Sequence, residues 1–385
     1  MDVSAVLQEQ HERSAAVLRS PRSTKIFGIA LVLWIASNVF VTGVAKITTW
    51  ESTASYHRMA NLCRWDCTWY ASVIKPGYVS APTTADGSTN WAFNPLFPIT
   101  AYPLHKWLRL SLFGSLVLAS KVELLLAIYA FILMFADEMK TTAQLVRAGS
   151  LVAFNPYVIY AHAGYAEPLY FALIALGFYF ANRKRWILAG LAGGFASAAR
   201  VVGAVFAAPY FVAWLRARGW RSDWSKRDLN GLIGLLLCPL GSALLMLYLY
   251  HHTGDALSLQ HAHVAWGRNL ANPFPALWWN LRETQWSRVW AIMMVAAWLT
   301  CGWLFKLRKP ELAIYLALAL SLTFLTPIVG YLGVARYIWW QPPFLYGIYR
   351  ALRNSDAAWV LYIAFASGMA AFMVIGWFGG HNFVV

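Results

Sequence analysis

Carboxylates and guanidinium groups set in apolar sequence are the residues of this chain that could do chemistry. Asp66 lies in RWDCTWY (64–70), in the segment that follows the first long apolar run, with Arg64, Trp65, Trp69 and Tyr70 around it. A carboxyl among aromatic rings at a membrane edge is partly desolvated, which favours its neutral form, while a neighbouring arginine favours the charged one. That balance suits a group that takes a proton from a hydroxyl. Glu167 lies in AGYAEPLY (163–170), after Tyr165 and before Pro168. There an acidic residue complements a helix N-terminus, and proline fits the first turn. Arg200 falls inside the apolar stretch 187–215, and Arg336 in GVARYIWW (333–340). An arginine deep in a span costs roughly 2.5–3.5 kcal/mol on insertion scales, so each should face a cavity or a partner. The planar guanidinium fork is suited to phosphate. Pairing of either arginine with Glu167 or Asp66 is the plainer alternative.

Other polar residues carry less. Glu51, Asp86, Asp255 and Glu283 read as water-facing charges. His251, His252, His261 and His263 cluster, but no carboxylate or cysteine stands at a recognised ligand spacing, so no metal site is assigned. Cys63 and Cys67 could bridge or remain two thiols. No Gly-rich phosphate loop, Walker pattern or GxSxG is present, which leaves soluble nucleotide chemistry unsupported.

The elements that must position these residues are helices in a bilayer. Of 385 residues, 59% are apolar and 12% charged, far from the roughly 25% charged of a soluble domain. The formal charge of +15 would suggest nucleic acid in a soluble protein; here anionic lipids and cytoplasmic loops explain it, and no nucleic acid is implied. Apolar runs occur near 27–45, 117–136, 148–163, 166–182, 229–250, 287–305, 311–332, 335–349 and 357–376. Reading 187–215 as a pair of short helices keeps most of the basic residues on one side, as the positive-inside bias requires. About 20 apolar residues cross a bilayer as a helix, and the expectation is an all-α polytopic membrane protein of about eleven spans.

Residues 1–26 form a basic cytoplasmic tail ahead of an uncleaved signal-anchor, and 377–385 a short outer tail. Two long outer segments result, 46–116 and 251–286. Long ordered loops are usually functional. The first contains Pro95, Pro98 and Pro103, then His105, Lys106 and Arg109 in an amphipathic stretch that reads as an interfacial helix.

Several segments, in order, resemble one family. RWDCTWYASVIKPGY (64–78) is similar to the first-loop motif of PIG-V-type mannosyltransferases, a branch of the GT-C membrane glycosyltransferases. AFNPLFP (92–98), NPYVIYAHAGYAEPLYF (155–171), ASAARVVG (196–203) and Ala335-Arg336-Tyr337 resemble its later segments, with Asn94, Ala166, Val201 and Val202 departing from the usual residues. The resemblance spans about 27–376 and implies a single GT-C-like catalytic domain. It further implies inverting transfer of a sugar, mannose, from a polyprenyl (dolichyl) phosphate donor on the extracytoplasmic face. Asp66 matches the family's catalytic base. Arg64, Trp65, Tyr70, Tyr165, Glu167, Arg200 and Arg336 are then expected to bind substrate or donor phosphate. No cofactor beyond the lipid-linked donor is implied, and the acceptor is a glycolipid, glycan or protein hydroxyl. The site would face the periplasm from the plasma membrane of a bacterium, or the lumen from the ER of a eukaryote. A transporter or flippase of lipid-linked sugars, and a non-catalytic assembly partner of the same fold, are the alternatives; the lack of an internal repeat counts against the transporter.

Overall fold

The computed structural model describes residues 21–49, 59–82, 87–221, 223, 225, 228–283, 286–326 and 333–381. The expected N-terminal tail up to residue 20, residues 382–385 of the outer tail, and Glu51, Asp86, Lys226 and Arg227 lie outside them. Among the described residues every regular element is a helix. In chain order these are α1 (Pro21–Thr48), α2 (Met59–Leu62), α3 (Asp66–Ile74), α4 (Leu96–Lys106), α5 (Leu112–Met134), α6 (Thr142–Ala153), α7 (Glu167–Asn182), α8 (Trp186–Ala199) and α9 (Ala207–Ala217). They continue as α10 (Leu229–Leu237), α11 (Leu240–Thr253), α12 (Ser258–Ala265), α13 (Pro273–Arg282), α14 (Trp286–Lys306), α15 (Pro310–Phe324), α16 (Val334–Trp339), α17 (Pro342–Leu352) and α18 (Asp356–Gly379).

The long helices start where a side chain can satisfy the first free N–H groups. Ser111 accepts from Gly114 at the head of α5, and Ser355 from Ala358 at the head of α18. Thr141 and Gln144 close a reciprocal capping box on α6. Helices α1, α5, α14 and α18 are each long and apolar enough to cross a membrane, and α10 with α11 forms a fifth candidate bent by 47°. The bend falls at Pro239, which cannot continue a hydrogen-bonded helix.

That is fewer full-length helices than the expected eleven spans. The run 148–163 is not one helix: α6 stops at Ala153 and a 3-10 segment follows at Val158–His162. The run 335–349 is split into α16 and α17, because Pro342 and Pro343 remove the N–H groups that would bridge the junction. The pair expected over 187–215 is present. Helix α8 ends at Arg200, whose backbone is extended (φ −153°), and a 3-10 segment Val201–Phe206 leads into α9.

Helices α5, α7 and α8 make the centre of the bundle. Glycine lets α8 approach its neighbours: a Cβ on Gly190 would lie 2.2 Å from the Gly234 carbonyl oxygen of α10. The described parts of the segment 46–116 pack against the bundle as α2, α3, a 3-10 turn at Asn90–Ala92, and α4. Helix α4 turns Phe97, Pro98 and Ala101 inward and leaves Ile99 and Tyr102 exposed, the two-faced character expected of an interfacial helix.

Candidate active site

Asp66 begins α3, and the backbone around it is fixed by its neighbours. Trp65 before it adopts φ +48°, an uncommon conformation for a large residue, and the Cys63–Cys67 disulfide spans the kink. The two cysteines are therefore bridged, one of the two states left open above. The Tyr165 hydroxyl donates to the Arg64 carbonyl (3.0 Å) and accepts from the Asp66 N–H (3.2 Å), tying the kink to the chain just ahead of α7. Gly164 lets the two segments meet: it sits at φ +78°, and a Cβ there would come within 2.6 Å of Cys67 Sγ. Arg64 Nη1 donates to the Trp377 carbonyl at 2.9 Å, and the Trp65 ring meets Trp377 edge-on at 4.7 Å.

Four charged residues from four parts of the chain converge beside this kink. Arg336 Nη1 lies 2.9 Å from Asp66 Oδ2, and its Nε 3.2 Å from Glu167 Oε1. Arg200 Nη1 donates to the same Glu167 oxygen at 2.5 Å. Each is placed by a helix end: Asp66 and Glu167 occupy the first turns of α3 and α7, where the helix dipole favours negative charge. Arg200 stands in the break after α8, where its backbone turns out of the helix. The break is secured because Asn94 Nδ2 and Ser242 Oγ both donate to the Ser197 carbonyl left open by it, at 2.8 and 2.9 Å.

Burial separates the two carboxylates. The Glu167 side chain is 2% exposed and that of Asp66 22%, so an incoming group meets Asp66 first. Asp66 Oδ1 makes no ion pair or hydrogen bond among the described residues, and Glu167 Oε2 is buried with no hydrogen-bond partner there. A proton acceptor at the surface and a second acceptor below it are thus both open.

Aromatic rings wall the cluster. The Arg336 guanidinium lies 5.0 Å from the Tyr160 ring centre and 4.9 Å from that of Tyr337, and Arg200 lies 4.8 Å from Tyr337. Tyr70 packs edge-on against Phe93 and Phe97, and burial pushes its hydroxyl well above the usual range, within the field of all four charged residues. The second long segment, 251–286, covers this wall: Trp266, just past α12, meets Trp69 at 5.3 Å and Phe93 at 6.0 Å. It also delivers Arg268, whose Nη2 donates to the Tyr337 hydroxyl at 2.7 Å. Burial, then Arg268 and Arg200, lower the His263 ring to about 4.

The structure therefore brings Asp66, Glu167, Arg200 and Arg336 together, with Tyr70 alongside. Arg64, Trp65 and Tyr165, expected to bind substrate, place polar atoms or rings on backbone and on Trp377 beside Asp66. Pairing, the plainer reading for Arg200 and Arg336, is what both make. The histidines of 251–263 disperse: His252 Nε2 meets the Tyr78 carbonyl at 2.8 Å and His261 pairs with Asp255 at 2.7 Å. Among the described residues no three His, Cys, Asp or Glu side chains group as a metal site. Arg268 and Tyr337 were missed as site residues. A loop arginine reads as solvated, and only Tyr337's position next to Arg336 hinted at its place.

No protein-family model and no curated protein matches the chain. Among solved structures it is similar to the oligosaccharyltransferase of Archaeoglobus fulgidus, crystallised with zinc and sulfate, at 12% sequence identity and a TM-score of 0.43. The match covers 87% of this chain and 53% of that protein, so the chain spans about half the length of the structure it resembles.

Proposed function

We propose that the chain is an integral membrane glycosyltransferase of the GT-C kind its motifs resemble. It moves a sugar, mannose by that resemblance, from a polyprenyl phosphate donor to an acceptor hydroxyl at the extracytoplasmic face. The observation that carries this reading is the single ion-pair network of Asp66, Glu167, Arg200 and Arg336, in which the surface carboxylate keeps one oxygen open. A purely structural network would have no need to leave acceptors open at its exposed edge.

In this reading Asp66 Oδ1 takes the proton of the acceptor hydroxyl as its oxygen attacks the anomeric carbon. The bond from that carbon to the phosphate oxygen breaks, the phosphate leaves with the electron pair, and the configuration inverts. A phosphate is already a good leaving group, so one carboxylate suffices where glycoside hydrolases need a pair. Arg336 Nη1 engages Asp66 Oδ2 at 2.9 Å and leaves Oδ1 for the acceptor hydroxyl. Glu167 Oε2 is placed to accept from a sugar hydroxyl. The lipid tail of the donor accounts for a site at a bilayer edge, and the acceptor is a hydroxyl of a glycolipid, glycan or protein.

Asp66→Asn keeps the size of the side chain and removes the base. Membranes containing this variant, supplied with labelled polyprenyl-phosphate mannose, should transfer label about 10²–10⁴-fold more slowly than wild type, the usual worth of a positioned base. Undiminished transfer would remove Asp66 from the mechanism.

A further inference from the structure

Three guanidinium groups converge on one phenol. Arg268 Nη2 and Arg336 Nη2 both donate to the Tyr337 hydroxyl, at 2.7 and 3.0 Å, while Arg268 and Arg200 stack 5.0 and 4.8 Å from the centre of its ring. The carboxylates do not balance this group. Glu167 is shared by Arg200 and Arg336, and Asp66 pairs with Arg336, so three positive charges face two negative ones. Arg268 is the unbalanced member, since no carboxylate among the described residues lies within ion-pair distance of it. Beside it, His263 Nε2 and Trp266 Nε1 are buried with no hydrogen-bond partner among the described residues.

A phenol oxygen is a weaker acceptor for two guanidinium groups than a phosphate oxygen is. A phosphate with one anionic oxygen in its place would make charge-assisted hydrogen bonds there and offer Arg268 a second oxygen for a bidentate pair. We propose that Arg268 is the principal seat of a phosphate ester in this site, and that the Tyr337 hydroxyl stands where one phosphate oxygen binds. The assignment rests on the glycosyl-transfer reading only for the identity of the ester. It moves the phosphate-binding role from Arg200 and Arg336, whose charge is spent on carboxylates, to a residue of the second long segment. That segment becomes part of the binding site as well as its cover.

The test is binding, without transfer. The purified full chain in phosphatidylcholine nanodiscs is titrated with a long-chain polyprenyl monophosphate and, separately, with the corresponding polyprenol, and followed by tryptophan fluorescence. Wild type should bind the phosphate at least tenfold more tightly than the alcohol. Arg268→Gln should erase that difference while leaving the alcohol unaffected. Tyr337→Phe removes only the competing hydroxyl and should tighten the phosphate severalfold. Competition by millimolar inorganic phosphate would assign recognition to the head group alone, and binding through Arg268 without such competition would assign it to the ester with its tail. Equal affinity of Arg268→Gln and wild type for the phosphate overturns the proposal, as does a loss in Tyr337→Phe matching that of Arg268→Gln. Thermal unfolding of both variants reports whether they fold, and Tyr337→Phe still decides if Arg268→Gln does not. Asp66→Asn separates the two readings: it should still bind polyprenyl phosphate more tightly than polyprenol, through Arg268. Arg268-dependent binding without any transfer by wild type would sink the glycosyltransferase and spare the phosphate seat.

Discussion

The two ends of the bundle use the same ion-pair chemistry under opposite conditions of solvation. At the end remote from Asp66, Arg147 pairs with Asp356, Arg216 with Glu311, Arg183 with Asp137 (3.1 Å), and Glu138 with Lys309 (2.6 Å) and Arg350 (3.4 Å). The most exposed of these are wet, with the Asp137 side chain 73% exposed and that of Asp356 90%, while Glu311 at 19% and Glu138 at 27% are partly covered. They tie neighbouring helix ends together where the basic residues gather, and each exposed pair contributes little because water and salt screen it. At the Asp66 end the pairs are dry, with Arg336 6% and Glu167 2% exposed. Taking such charges out of water costs more than a hydrophobic replacement would, so stability alone does not explain them. The wet pairs belong to the architecture; the dry network is an expense that a function must repay.

That contrast can be broken at its strongest point by Glu167→Gln. The change leaves Arg200 and Arg336 facing a single carboxylate inside the protein, and should destabilise the fold by about 3–5 kcal/mol, the cost of stranding a buried charge. Denaturant or thermal unfolding in detergent reads it out, and a loss below about 1 kcal/mol would place the network in water like its counterpart.

A smaller effect comes from His263. Its ring stays neutral in the folded protein to about pH 4, whereas an unfolded histidine gains its proton near 6.5. The folded-state value is the lower one, so the stabilisation is complete above about pH 6.5 and is lost as the pH falls from there through about 4. Thermal unfolding between pH 7 and 4.5 should fall off more steeply for wild type than for His263→Gln, by on the order of 2 kcal/mol. Parallel curves would show that the ring is not sealed beneath the second long segment. The smallest effect is expected at the wet end, where Asp356→Asn should change stability by about 0–1 kcal/mol and less still in high salt. A larger loss would erase the distinction between the two ends.

Much of the site was legible because charge in apolar sequence must be compensated. Asp66, Glu167, Arg200 and Arg336 stand out on that ground, and the break at Arg200 follows from where the basic residues have to lie. Three things were hidden. The helices at 148–163 and 335–349 look continuous in hydropathy, which is blind to where prolines and 3-10 turns interrupt hydrogen bonding. The roles of Arg64, Trp65 and Tyr165 depend on Trp377, more than two hundred positions from any of them, and no local pattern reports such a contact. Arg268 lies in a long segment between apolar runs, where nothing in the sequence marks it as facing Tyr337 rather than water.

The bond from Arg64 to the carbonyl of Trp377 joins positions 313 residues apart. During synthesis the amino-terminal kink therefore waits, without one of its supports, while every intervening helix is made and inserted. Domains emerge from the ribosome in order, at roughly 5–20 residues per second, so a chain of this length is exposed for tens of seconds before α18 arrives. Until then the kink rests on Tyr165 and the Cys63–Cys67 bridge alone.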